Sequence, residues 1–238
     1  MKRKFAVFDI DGTLIRWQLY HAIAEALSRF GHIDPVTHTK IREARMLWKK
    51  RTDENAFKHY ESILVEAYDQ LVKQLPVELF DKAAKKVFDE YKDQVYTYTR
   101  DLIRDLKQQN YLLFAISGSQ KEIVAMIAEY YGFDDYVGST YMHQNGYYTG
   151  KKIVASSSKH AILGRLIAQH DAAREGSIAV GDSGSDTTML KTVDMPVAFN
   201  PDKSLYETAL RNDWKIVVER KNVVYELEKG DKRYELLV

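Results

Sequence analysis

Residues 4–17, KFAVFDIDGTLIRW, set an apolar β-type run against two aspartates spaced one residue apart, followed at once by Gly12 and Thr13. Asp11-Gly12 alone reads as a turn closing a strand. Asp9 does not, because it stands between Phe8 and Ile10 while the apolar pattern is still running. A carboxylate there is costly to bury unless a cation or several donors meet it. The stretch therefore predicts a buried strand whose last positions either carry chemistry or end the strand in solvent, and the rest of the chain decides between the two.

Outward from this strand, short apolar runs recur at YLLFAIS (111–117), IAVGD (178–182), PVAF (196–199) and KIVV (215–218), with helical patterns between them such as TRDLIRDLKQQ, KEIVAMIAEYYG and SKHAILGRLIAQH. Strand and helix alternating in this way imply right-handed crossovers and a parallel sheet covered on both faces, an α/β fold. Residues 15–96 break the alternation with amphipathic helical segments and no convincing strand, interrupted at Pro35 and Pro76. They read as a helical domain inserted after the first strand, leaving 1–14 and 97–238 as the α/β core. The aromatics Trp48, Phe57, Tyr60 and Tyr68 fall at helical spacing and are assigned to core packing rather than to a ligand wall. STYMHQNGYYTGKKIV (139–154) predicts a hairpin turning at Asn145-Gly146, and the tail predicts a second around Gly230-Asp231. Gly146 to Lys152 has one residue too few between its glycines for a phosphate loop, and a hairpin is the wrong setting for one.

Bulk composition narrows the chemistry. The 238 residues are 45% hydrophobic and 29% charged, and 35 basic against 34 acidic side chains leave a formal charge of +1. Such balance gives no electrostatic reason to expect nucleic acid or an anionic membrane as partner, so a small molecule is expected. The absence of cysteine excludes disulfides, thiolate catalysis and cysteine-ligated metals. Asp9 cuts the apolar stretch behind the basic start too early for a signal peptide, and no window approaches the roughly 18 apolar residues of a membrane span, so a cytoplasmic location is expected.

In an open parallel sheet the carboxyl ends of the strands share one edge, where ligands bind. That places Asp9 and Asp11, then Ser117, Gly118 and Ser119, then Gly181, Asp182 and Ser183, on one rim. Asp9, Asp11, Asp182 and Asp186 offer only oxygen, which suits a hard cation that keeps waters, Mg²⁺ rather than zinc. GDSGSD (181–186) resembles a nucleophilic-serine motif, but its strand-into-helix setting and the Ser185 in place of a glycine argue against that chemistry. The histidines at 32, 38, 59, 143, 160 and 170 show no metal-ligand spacing and read as surface or capping residues.

These residues together resemble the haloacid dehalogenase superfamily. Asp9-Ile10-Asp11-Gly12-Thr13 is similar to its first motif, Ser117 in FAISGS to the second, Lys159 in SSSKHAIL to the third and GDSGSD to the fourth, in order and over roughly 1–14 and 97–218. The helical insertion is similar to the C1 cap of the phosphoserine-phosphatase-like branch. The resemblance implies a Rossmann-like core and a Mg²⁺-dependent phosphatase acting on a small phosphate monoester. Asp9 would be the nucleophile and Asp11 the acid and base. Ser117 and the Gly118 amide, at a helix N-terminus, would meet the phosphate together with Gly12 and Lys159, and Asp9, Asp11 (through its main-chain carbonyl), Asp182 and Asp186 the metal. A phosphotransferase or mutase, and an idle binding module of the same fold, are the alternatives. Members that act on phosphoserine hold its amino and carboxylate groups with a glutamate and an arginine; here Gln18 aligns with the glutamate, and YESILVEAYDQLVKQLP (60–76), where Tyr68 aligns with the arginine, contains no arginine. Phosphoserine is therefore expected to be a poor substrate.

Overall fold

A computed structural model describes residues 2–32, 34–50, 53, 56–73, 75–230 and 234–237. The chain divides into two compact units, residues 1–18, 90–140 and 154–238 forming the first and 19–89 with 141–153 the second.

The first unit is built on β1 (Lys4–Phe8), whose residues Phe5 to Phe8 are all fully buried. A strand buried on both faces must be covered by helices on each, and the neighbours supply them. β1 lies between β2 (Leu112–Gln120) and β5 (Ala173–Gly181), parallel to both. The order continues through β3 (Asp135–Gln144) beyond β2, and through β6 (Met195–Phe199) and β7 (Lys215–Arg220) beyond β5, all parallel. Helices α5 (Thr97–Gln108) and α6 (Lys121–Tyr131) pack on β2, as does α7 (Lys159–Gln169). On one face Phe5, Val7, Phe114 and Ile116 join Leu163 and Leu166 of α7 and Met189 and Leu190 of the short α8 (Thr187–Leu190) in a single core. On the other, Phe8 meets Phe133 edge to face at 5.9 Å. A last helix, α9 (Lys203–Arg211), is capped by the Asp202 carboxylate.

The tail continues the sheet. β8 (Val223–Lys229) folds back antiparallel on β7, and β9 (Tyr234–Leu236) pairs antiparallel with β8. The expected turn around Gly230-Asp231 includes Asp231, which lies outside the described residues; the pairing of β8 with β7 was not anticipated.

The second unit holds α1 (Leu19–Arg29), α2 (Pro35–Lys50), α3 (Ala56–Val72) and α4 (Val77–Tyr91), the last helix running past its edge, together with the end of β3 and β4 (Tyr147–Ile153). Pro35 starts α2, where its missing N–H costs nothing. Trp48 and Tyr60 stack at 5.5 Å, and Tyr60 and Tyr68 are buried. Asn145 and Gly146 both take positive φ at the hairpin tip, as a two-residue turn of this type requires.

The unit boundaries differ from the 15 and 96 drawn from sequence. Residues 15–18 and 90–96 belong with the sheet because Ile15 bridges Val95 and the Arg16 amide donates to Gln94 O. Residues 141–153 group with the helices rather than with the core because Lys152 Nζ reaches both Asp69 oxygens (2.7 and 2.6 Å), Tyr148 N donates to Leu75 O (3.0 Å) and Phe80 packs on Tyr148 at 5.5 Å. Such pairings depend on side chains far apart in sequence.

Candidate active site

Every candidate residue lies in the first unit. The chain leaves β1 at Asp9, whose amide donates to Val180 O (3.0 Å), and then tightens into a turn in which the Leu14 and Ile15 amides both donate to Ile10 O. Gly12 sits in this turn at φ 79°, and a Cβ built there would stand 2.1 Å from Asp182 Oδ2. The turn thus presses its backbone against the Asp182 carboxylate, and glycine leaves room for it.

Asp9 and Asp11 point to different partners. Lys159, the first residue of α7 and 2% exposed, donates to Asp9 Oδ1 at 2.5 Å and to Asp186 Oδ1 at 2.6 Å. A solvated first-turn lysine would be exposed; this one is the cation of a buried cluster. Asp186, fully buried, uses its other oxygen to accept from the Asp182 and Ser183 amides and from Ser183 Oγ, which closes the GDSGSD loop on itself. Carboxylate oxygens of Asp9, Asp182 and Asp186 lie within 4.8 Å of one another. Asp11 instead accepts from Ser117 Oγ at 2.5 Å and from Ser119 Oγ at 2.9 Å.

Ser117 and Gly118 were expected at a helix N-terminus, but β2 runs on to Gln120, held by its parallel bridge to Ser139, and α6 begins only at Lys121. Ser117 is therefore an inward strand residue bound to Asp11, and Gly118 faces out and is exposed. Ser119 and Ser183 were given no role; the i, i+2 spacing of Ser117 and Ser119 on one strand face is the signal that could have found the first. Among the histidines, His170 Nε2 lies 2.7 Å from Asp135 Oδ2, while His21, absent from that reading, is buried in the second unit with Nδ1 3.2 Å from Tyr60 Oη.

The electrostatics follow from a cluster of carboxylates around one ammonium, which itself meets Asp9 and Asp186. Burial, opposed by Lys159 and reinforced by Asp186 and Asp11, pushes Asp9 up to about 8. Asp182 is likewise raised well above the carboxylate range by burial and by its acidic neighbours. Burial works against the charge on Lys159, but Asp186 and Asp9 outweigh it and raise its pKa. Two carboxyls pushed toward their neutral forms beside a single ammonium mark a cluster short of positive charge. Such an all-oxygen donor set fits a hard divalent cation such as Mg²⁺, whose charge would favour the ionised forms.

The profile of the haloacid dehalogenase-like hydrolases matches residues 6–191, which span all of these groups. The chain belongs to this family. Its sequence and fold are phosphoserine-phosphatase-like. The chain is 24% identical over 211 residues to a phosphoserine phosphatase of Archaeoglobus fulgidus, covering 87% of the chain but only 56% of that relative. It is 25% identical over 211 residues to a phosphoserine phosphatase of Methanocaldococcus jannaschii, covering 87% of the chain and 90% of the relative. In fold it is similar to a protein of unknown function from Bordetella pertussis Tohama I (TM-score 0.71, 21% identity, 91% of this chain and 98% of that one). It is similar also to phosphoserine phosphatase in its apo form (TM-score 0.65, 21% identity, 93% and 96%).

Proposed function

We propose that the chain is a Mg²⁺-dependent phosphatase that hydrolyses a small phosphate monoester through a phosphoryl group carried on Asp9. The observation that carries this reading is the strand-end cluster itself, in which Asp9 is held by Lys159 amid an excess of buried carboxylate. Asp9 and Asp182 would hold the cation, with the Asp11 main-chain carbonyl and Asp186 beside them. A bound Mg²⁺ would supply the positive charge that lets a phosphate dianion approach a carboxylate.

The chain's own residues then divide the work. An Asp9 oxygen forms a bond to phosphorus as the ester P–O bond breaks, and Asp11 gives its proton to the departing oxygen. In the second half, a water oxygen bonds to phosphorus, the Asp9–phosphorus bond breaks and the water's proton goes to Asp11, which restores both carboxyls. An ammonium has three N–H donors, and Lys159 spends two on Asp9 and Asp186, so the third is available to a phosphate oxygen. The Gly118 amide and the Ser117 hydroxyl would meet the remaining oxygens. Gln18 and the arginine-free stretch 60–76 favour an ester other than phosphoserine.

Phosphate release from a panel of small esters, with Mg²⁺ and with chelator, tests the reading. Turnover should require the metal. Asp9→Asn should abolish both turnover and covalent phosphate labelling, whereas Asp11→Asn should lose most turnover yet still label with an ester of a good leaving group. Full activity in Asp9→Asn would overturn the mechanism.

A further inference from the structure

We propose that Ser119 is a positioning residue for Asp11, fixing the carboxyl that exchanges protons with the leaving group; the inference rests on the reading above that Asp11 is the acid. On β2, Ser117 and Ser119 are two residues apart, so both side chains face the same way while Gly118 between them faces out. Both serines are buried, 0% and 1% exposed, and each takes one oxygen of the Asp11 carboxylate, Ser117 Oγ on Oδ2 and Ser119 Oγ on Oδ1. Two donors from one rigid strand fix the plane of a carboxyl group, where one donor would leave it free to turn.

The two serines are not equivalent. Ser117 Oγ also accepts the Ser119 amide (2.9 Å), so its single proton is its only donor. When that proton turns to a phosphate oxygen, the Ser117 contact on Asp11 is given up while the Ser119 contact stays. Ser119 is thus a donor that still orients the Asp11 carboxyl while substrate is bound.

A purely architectural role for the Ser119 hydroxyl is already filled by others. The end of β2 is fastened by Ser139 Oγ donating to Gly118 O (2.6 Å) while accepting the Ala155 amide (3.1 Å), and by the Ser119 main-chain amide, none of which needs the Ser119 side chain.

The test separates acid positioning from general damage by varying how much the leaving group needs a proton. kcat/KM, which covers events up to transfer onto Asp9, is measured for phenyl phosphate and for 2,4-dinitrophenyl phosphate. For Ser119→Ala it should fall about tenfold or more on phenyl phosphate and less than about threefold on the dinitrophenyl ester, whose anion departs without help. Ser119→Thr keeps a hydroxyl on Cβ and should stay within about threefold of wild type on both. If Ser119→Ala does not fold, Ser119→Cys, close in size and a weak donor, should show the same leaving-group dependence. Equal losses on the two esters, or none on phenyl phosphate, would overturn the assignment. Asp11→Asn is run in the same series. If its loss ignores the leaving group, Asp11 is not the acid, and the parent reading falls together with the role of Ser119. If Asp11→Asn discriminates between the esters and the Ser119 variants do not, only the Ser119 assignment fails.

Discussion

Replacing Gly12 with alanine adds one methyl group, and its effect can be divided using a second glycine as reference. Gly12 and Gly146 have nearly the same positive φ, 79° and 81°, but a Cβ at Gly146 meets nothing within 4 Å while one at Gly12 lies 2.1 Å from Asp182 Oδ2. Both substitutions carry the cost of a left-handed L-residue, about 1–2 kcal/mol. Gly12→Ala must in addition push the Asp182 carboxylate aside by about 1 Å to reach ordinary contact, and a misplacement of that size in a reacting constellation costs on the order of a hundredfold. Urea unfolding should therefore show Gly146→Ala less stable by about 1–2 kcal/mol with unchanged turnover. Gly12→Ala should lose at least as much stability. With p-nitrophenyl phosphate across a Mg²⁺ titration, it should also show kcat reduced about a hundredfold or the half-saturating Mg²⁺ concentration raised at least about tenfold. Turnover and metal requirement in Gly12→Ala that match those of Gly146→Ala would refute the claim that this turn aligns Asp182.

Burial, with the Arg45 charge second, holds His21 down at about 3 from 6.5, so the folded chain binds fewer protons than the unfolded one between those values. Stability is therefore fully present above pH 6.5 and is lost as pH falls toward 3, by up to about 1.4 kcal/mol per pH unit. His21→Phe should lack this component, and parallel wild-type and mutant stability curves over that window would contradict it. A neutral amide at Gln18 and a phenol at Tyr68 cannot replace two charge-assisted contacts, so kcat/KM for phosphoserine should lie on the order of a thousandfold below that for esters with an uncharged head. A higher value for phosphoserine would refute that alignment.

The residue pattern alone made legible the α/β class, the parallel strands ending in polar residues, and the convergence of Asp9, Asp11, Ser117, Asp182 and Asp186 on one rim. It could do so because strand periodicity is local and a parallel sheet puts all carboxyl ends on the same side. How those groups pair emerges once the chain has folded. Ser117 meets Asp11 across 106 residues and Lys159 meets Asp9 across 150, and whether a serine caps a helix or clamps an acid depends on where β2 stops. The extension of β2 to Gln120 comes from its pairing with Ser139 of β3, a pairing that no local pattern announces. The same holds for residues 141–153, which group with the helices through Asp69 and Leu75, and for His21, whose helical pattern was legible while its burial against Tyr60 was not. Local propensity chooses the element; the partner across the fold chooses what each side chain does there, because the cost of an unpaired buried charge or donor is settled only once the chain has closed around it.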